Sequence, residues 1–503
     1  MILINMWIGK GNDAESTAMQ RFRMILTDSE YSPCIQCAIL IPNKSMFMET
    51  IMDKETIMVD YIREAHEKGA FTGTWLYAEN GKIVSKGAIG FRDPENTLPM
   101  REDSIFDIAS ISKQFTAAGI MLLRRRGLLS LEDEITKYFP EIPYAGITIR
   151  HLLTHTSGFS DCDDDIERIF EEEGMIPDNN VILRILTECR PELSYPTGEG
   201  FEYTDTGYQL LAEIAEKVSG VPFEEFLKKN VFEPAGLDST RVYHRRKDKL
   251  QIDDLAVGLV FEKGELILPE DSKARDYVLS HDGMNGNMAV YSNIIDLFKW
   301  DQVLREGSLL TPEEQKLMVT PATLINGEPA REEGDDDDYG FGWVLLHDEK
   351  LGLIACHSGY VPGYQTWFAR YLDANAVLVQ LCCREYTDVR AYVAFDSGME
   401  AIVRGLKPEP IRSIDDIALQ SPDKSGWEAL CGKYEHPEDS DFFVDEVYMK
   451  EGELYAKTVD GDDEMEFRLY PIGENKFGRK AGMLELTFGD ECLIYDDYSC
   501  KKL

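Results

Sequence analysis

Residues 106–130 read FDIASISKQFTAAGIMLLRRRGLLS, with Ser110 and Lys113 three apart where a helical pattern begins. Phe115, Ala118, Met121 and Leu122 then recur at helical spacing among good helix formers. Arg124, Arg125 and Arg126 load the last turn and Gly127 stops it, which suits the negative end of the helix dipole. The pattern predicts Ser110 at a helix N-terminus with Lys113 one turn on, on the same face. A serine hydroxyl attacks well only when a neighbour takes its proton, and a lysine kept partly neutral can do so. Free N–H groups of the first turn favour the negative charge that develops on attack. Taken alone, though, S-x-x-K fits a capped surface helix better than a site.

Working outward, Thr74–Ala78 and Lys82–Ile89 are strand-like runs joined at Asn80-Gly81, a strong hairpin signal. A helix precedes them at Lys54–Lys68, with Ile57, Tyr61 and Ala65 on one face. After the Ser110 helix, Leu131–Phe139 reads as a short amphipathic segment ended by Pro140. Thr148–Thr154 reads as a helix capped by Thr148. Helices follow over Asp165–Arg190 and Gly207–Lys229. Strands return at Gly340–Leu346, Leu353–Ala355, Thr366–Tyr371 and Ala376–Cys382, before a helix at Val389–Arg404. Early strands, a helical middle and late strands predict an α/β (α+β) domain, one sheet built from both ends with a helical insertion.

Pro408, Pro410 and Pro422 mark 406–425 as a linker. Beyond it, short alternating runs at Phe442–Met449, Glu453–Thr458, Met465–Tyr470, Met483–Phe488 and Cys492–Tyr495 predict a small antiparallel β-barrel over 426–503. Residues 1–47 carry no sustained pattern and are set apart as an N-terminal extension. Two origins stay open for it, a mistaken start codon or a variable appendage. The hydrolytic domain expected between these limits is 48–405.

The chain has 503 residues, is 43% hydrophobic and 29% charged, and carries a net charge of -40. That charge repels nucleic acid and anionic membrane surfaces, so a small-molecule substrate is the expected partner. The ten cysteines form no disulfide framework, and Cys34-x-x-Cys37 has no second pair to complete a zinc site. The opening MILINMWIGKG lacks a basic region and is too short an apolar run for a signal peptide. No stretch reaches membrane-spanning length. A cytoplasmic protein without cofactor or metal is the expectation.

Other marked stretches join the serine. Tyr203-Thr204-Asp205 lies in the Gly-rich run PTGEGFEYTDTGY of 196–208, and His357-Ser358-Gly359-Tyr360 sits among the late strands. Between them, His151 and His155 stand four apart, but no third ligand completes a zinc site, so capping or core hydrogen bonding is the better reading. Asp161, Asp163, Asp165 and Glu172 fall at calcium-loop positions, yet Ile166 stands where that loop needs glycine. The run EEGDDDD of 332–338 reads as a solvated loop.

S-x-x-K, then a Y-x-N-like triplet, then H-x-G, in that order, resembles the serine β-lactamase and penicillin-binding protein superfamily. The chain is most similar to its class C-like branch, whose relatives include D-aminopeptidases, D,D-carboxypeptidases and esterases. HLLTHTSGF at 151–159, TGYQLLAEIAEKVSG at 206–220, YSNIIDLFKW at 291–300 and YGFGW at 339–343 are similar too. The tail from Cys431 resembles a lipocalin-like barrel that some members append. The resemblance implies the β-lactamase/transpeptidase-like sheet and an acyl-enzyme on Ser110. Lys113 and Tyr203 would share the proton transfers. Backbone N–H groups of Ser110 and Tyr360 would form an oxyanion hole, each donor worth about 3–4 kcal/mol. Asp205, His357, Gly359 and Tyr360 would line the substrate.

Two positions depart from the family pattern. Asp205 replaces an asparagine that can donate to a substrate carbonyl, and an ionised Asp can only accept. Beside Lys113 it would raise the lysine's pKa, unless it is itself protonated or meets a substrate ammonium. His357 replaces a lysine, and a neutral imidazole holds a carboxylate less firmly. Both changes point away from an efficient β-lactamase and toward an esterase or a peptidase on small D-amino-acid compounds. The rival reading is a catalytically weakened descendant that binds a ligand or assembles with partners.

Overall fold

The Asn80-Gly81 turn forms as read, with both residues at positive φ (52° and 72°), and joins β1 (Gly73–Glu79) to β2 (Lys82–Ile89). The computed structural model describes residues 53–249, 252–262, 264–332, 336–435, 444–460, 463–480, 485–489, 492–495 and 498–503. The readings placed on 1–47, Cys34 and Cys37 among them, lie outside the described residues.

Among the described residues the chain divides into two compact units. The first comprises Ile62–Glu332 and Asp336–Thr387, and the second 53–61 and Asp388–Leu503. The first is built on a seven-stranded antiparallel sheet. Its later strands are β3 (Asp338–Tyr339), β4 (Val344–Asp348), β5 (Gly352–Val361), β6 (Tyr364–Tyr371) and β7 (Ala376–Cys382). The order is β2-β1-β7-β6-β5-β4-β3, so β1 pairs with β7 and the two ends of the unit meet mid-sheet. Between β2 and β3 runs the helical insertion, with α1 (Ser112–Arg125), α2 (Asp163–Glu173), α3 (Asp205–Ser219), α4 (Val278–His281) and α5 (Ile294–Glu306).

One apolar core joins sheet and helices. Phe115 of α1 meets Trp300 of α5 at 4.8 Å between ring centres, and Leu210, Leu211 and Ile214 of α3 are fully enclosed. Buried Asp301 on α5 accepts from Arg305 and from Arg370 of β6, each at 2.8 Å, a charge cluster that pins helix to sheet. The 340–346 strand expected from sequence is interrupted. Gly342 turns at φ 73°, where a Cβ would come within 2.7 Å of the Lys113 carbonyl oxygen, so this bend backs α1 directly.

In the second unit, Asp388 caps the helix Val389–Val403 by accepting from the N–H groups of Arg390 and Ala391, both at 3.1 Å. The proline-rich stretch 406–425 falls inside this unit. The C-terminal strands appear largely where alternation placed them, as a four-stranded and a five-stranded antiparallel sheet. They share a core that includes Trp427, Leu454, Phe477 and Leu493. Backbone bonds from Glu435 N to Lys501 O (2.9 Å) and from Leu503 N to Lys433 O (2.8 Å) stitch the first strand to the last. No ladder joins Asp463–Arg468 to Tyr470–Gly473, so among the described residues the expected closed barrel is not formed. Alternation specifies which face is buried, not whether a sheet closes.

Candidate active site

Ser110 lies in a single 3-10 turn, Ala109–Ile111, immediately before α1. Ala109 is held at φ 48°, and its N–H donates to Asp107 Oδ1 at 2.9 Å, so a buried carboxyl braces a strained residue next to the serine. Strand β5 closes in on the other side. A Cβ on Gly359 would lie 2.2 Å from Thr366 Oγ1 and 2.3 Å from the Ile108 carbonyl oxygen, while Thr366 Oγ1 donates to that carbonyl at 3.1 Å. Only glycine admits this approach, which brings the Gly359–Tyr360 segment alongside the serine turn.

Lys113 is fully enclosed. Its Nζ donates to Ser110 Oγ at 3.0 Å, to Asp205 Oδ1 at 2.6 Å and to the Asn287 carbonyl at 3.4 Å. It also stands 4.7 Å from the centre of the Tyr203 ring. The same face of α1 is sewn to the segment 286–290, through Thr116 Oγ1 to Gly286 O at 2.6 Å and Val290 N to Ser112 Oγ at 3.1 Å. Asp205 opens α3. Asp161 Oδ1 accepts from Thr204 Oγ1 (2.5 Å), Asp205 N (2.6 Å) and Thr206 N (3.3 Å), capping that helix, while burial, with Asp163 and Asp205 nearby, pushes its carboxyl up to about 8.

Tyr203 is fixed from behind by His155, itself at φ 56°. His155 Nδ1 accepts from Thr204 N at 3.2 Å, its carbonyl from Glu202 N at 3.0 Å, and its ring centre lies 4.5 Å from that of Tyr203. The Tyr203 hydroxyl is enclosed and faces Lys113 and Ser110. His151 caps the short helix Ile149–Leu153 with Thr148, so both histidines take the capping and core roles expected of them. The calcium-loop spacing is dissolved by α2, and its Asp163 pairs with His281 at 3.0 Å.

The charges follow from this packing. Burial works against the Lys113 ammonium, but the Asp205 carboxylate, helped by Tyr203, outweighs it and raises the lysine's pKa. Burial likewise opposes ionisation of Asp205, and Lys113 overcomes it, holding the carboxyl below its usual range. Burial raises the Tyr203 phenol, offset only in part by Lys113. Burial first and Lys113 second push His357 down to about 3. His357 Nδ1 lies 2.6 Å from the Ser358 carbonyl and so carries the proton, while Nε2 accepts from the Tyr339 hydroxyl at 3.1 Å.

Ser110, Lys113, Tyr203 and Asp205 therefore meet at one point. His357 sits beside them, its ring centre 5.9 Å from that of Tyr203, with both ring nitrogens engaged. The Tyr360 hydroxyl is turned to Glu385 Oε1 at 3.0 Å, leaving its backbone as the part nearest the serine turn. Sequence reasoning missed Asp161, Tyr339 and Asn287 as builders of the site. Asn287 is fully buried and adjoins Lys113 and Asp205, where its side-chain amide favours the carboxylate's charge. A glycine-and-asparagine string such as GMNGNMAVYS, 283–292, was the available signal.

A family model described as Beta-lactamase matches residues 58–400. Penicillin-binding protein 4* of Bacillus subtilis (strain 168) is 33% identical over 441 residues, 86% of this chain and 94% of that protein. Among solved structures, the octameric penicillin-binding protein homologue from Pyrococcus abyssi matches with TM-score 0.59 and 22% identity, over 90% of this chain and 100% of that one. The D-amino acid amidase from Ochrobactrum anthropi SV3 complexed with L-phenylalanine amide matches with TM-score 0.56 and 22% identity, over 70% of this chain and 97% of that one. At such identities the two structures show a shared fold.

Proposed function

Because the chain belongs to the Beta-lactamase family, we propose that it is a serine hydrolase that acylates Ser110 with small ester or amide substrates of the D-amino-acid type. The observation that carries this reading is the Ser110 Oγ to Lys113 Nζ contact of 3.0 Å inside a cluster with Tyr203 and Asp205. Ser110 attacks the carbonyl carbon, Lys113 and Tyr203 relay the proton to the leaving group, and water releases the acyl group. The N–H groups of Ser110 and Tyr360 are the donors we assign to the oxyanion.

An efficient β-lactamase is disfavoured by His357, whose neutral, doubly engaged imidazole offers no cation to a substrate carboxylate. Similarity to a D-amino acid amidase supports the D-amino-acid class. Among the described residues no helix is long and apolar enough to cross a membrane, in keeping with the cytoplasmic placement we propose. The test is turnover of p-nitrophenyl esters, D-aminoacyl p-nitroanilides and a chromogenic cephalosporin. Turnover of the first two with little of the third is expected, and a cephalosporin as the best substrate would overturn the assignment.

A further inference from the structure

At rest the site holds no free base. Lys113 is an ammonium bonded to Asp205, Tyr203 is a phenol, His357 Nε2 accepts from Tyr339, and His155 Nδ1 accepts from Thr204 N. Two opposed effects set the charge on Lys113. Its complete burial is the largest and works against the ammonium, and the Asp205 carboxylate reverses the outcome. Weaken that carboxylate's pull and burial prevails.

Asp205 is built to be reached by a second cation. Lys113 occupies Oδ1 from the enclosed side, where it has no exposed surface, whereas the Asp205 side chain is 26% exposed. Besides Lys113, the Asn287 side-chain amide also favours the charge on this carboxylate, so the group accommodates more than one donor. Ser110 Oγ, Lys113 Nζ and Asp205 Oδ1 are in successive contact at 3.0 and 2.6 Å. A carbonyl carbon on Ser110 thus brings an amine one carbon away within reach of Asp205.

Resting on the hydrolase reading above, we propose that a free amine next to the substrate's scissile carbonyl docks on Asp205 and releases Lys113 to act as the base for Ser110. The selected class is aminoacyl esters and amides with an unblocked α-amine. The amine enters as the free base, a form present near neutrality because an α-amino group has a pKa of about 7.7–8.0. It takes one proton from Lys113 Nζ across the shared carboxylate, so the site keeps one cation against one anion. Neutral Lys113 then accepts the Ser110 proton as Oγ bonds to the carbonyl carbon. That proton passes to the leaving oxygen or nitrogen as its bond to carbon breaks. Water cleaves the Ser110 ester by the same route, restoring the hydroxyl and freeing the amino acid.

The groups facing this exchange are few. Lys113 sees the Tyr203 and Tyr208 rings and, farther off, the neutral His155 and His357. Asp205 sees Asp161 and His281, and His281 is already paired with Asp163. Burial pushes the Asp161 carboxyl up to about 8, and Asp163 outweighs burial to raise His281, so a His281→Asn variant separates the histidine's contribution from that of the carboxyl.

The experiment compares D-alanine p-nitroanilide with its N-acetyl and propionyl counterparts, resolving kcat and KM from pH 5 to 10. The free amine is expected to raise kcat by about tenfold at pH 7 and to bring the rising limb of kcat down by about one pH unit. KM should change less than kcat. Asp205→Asn should bring the three substrates together, while His281→Asn should preserve the amine's advantage. Equal kcat profiles for the aminoacyl and propionyl compounds, or an advantage that survives Asp205→Asn, would overturn the proposal and leave the hydrolase reading standing. Absence of both turnover and acylation at Ser110 would remove the two together.

Discussion

The Lys113 ammonium lies closer to Asp205 Oδ1, at 2.6 Å, than to Ser110 Oγ, at 3.0 Å, and is wholly enclosed. The carboxylate that holds it charged also delays its use as a base. Asp205→Asn keeps the size and removes the charge, so burial is left to favour the neutral amine. The rising limb of kcat/KM for a neutral p-nitrophenyl ester should move down by about 1–3 pH units. A pH–rate profile unchanged by the substitution would contradict the electrostatic role given to Asp205.

Gly359 is the point where β5 passes the nucleophile turn, with no room for a methyl group against the Ile108 carbonyl. Gly359→Ala must push the strand away and misplace the Tyr360 N–H. Loss of about 10²–10³ in kcat is expected, the scale of one oxyanion donor, with the circular dichroism spectrum retained. A folded variant of normal kcat would show that this strand edge takes no part in catalysis.

Asp107, beneath the strained Ala109, has its carboxyl pushed up to about 7, mainly by burial. A carboxyl normally ionises near 3.9, so between about pH 4 and pH 7 the folded state binds the extra proton. Stability from this group is therefore present at the acid end and lost as the pH rises to about 7. Asp107→Asn keeps an acceptor for the Ala109 N–H and removes the charge. It should raise Tm at pH 8 by about 5 °C and by less at pH 5. The same gain at both pH values would show that Asp107 does not titrate as described.

Tyr339 donates to His357 Nε2 inside the core at 3.1 Å. Tyr339→Phe leaves that nitrogen unpaired, at a cost of about 1–3 kcal/mol in unfolding free energy. His357→Phe in turn leaves the Tyr339 hydroxyl without its acceptor, and the double variant, which removes both needs at once, should cost less than the separate losses add up to. Strict additivity in denaturant titrations would mean the two rings do not interact.

The hairpin at Asn80-Gly81, the cap at Thr148 and the bounds of Ala376–Cys382 were legible because each rests on local chemistry: positive φ, a hydroxyl cap, an apolar run. The strand Gly352–Val361 was read only as Leu353–Ala355, because His357-Ser358-Gly359 breaks the apolar pattern where the site needs polar groups and a close approach. Ser110, Lys113 and Tyr203 could be picked out, but their meeting depends on contacts between segments far apart in sequence, Lys113 reaching Asp205 across a separation of 92. Asn287 reaches Lys113 across a separation of 174, and Asp161 reaches Asp205 across 44. Neither residue carries a pattern, since a single carbonyl or a helix cap on a distant segment imposes no periodicity.

The central claim is that Ser110 is a nucleophile activated by Lys113. Intact-mass spectrometry after treatment with a fluorophosphonate, over pH 7–9, tests it most directly. A single adduct on the wild type, forming faster as the pH rises and absent from Ser110→Ala, is the predicted result. No adduct on the wild type, or an adduct kept by Ser110→Ala, would contradict the account and favour a weakened descendant that binds without turning over.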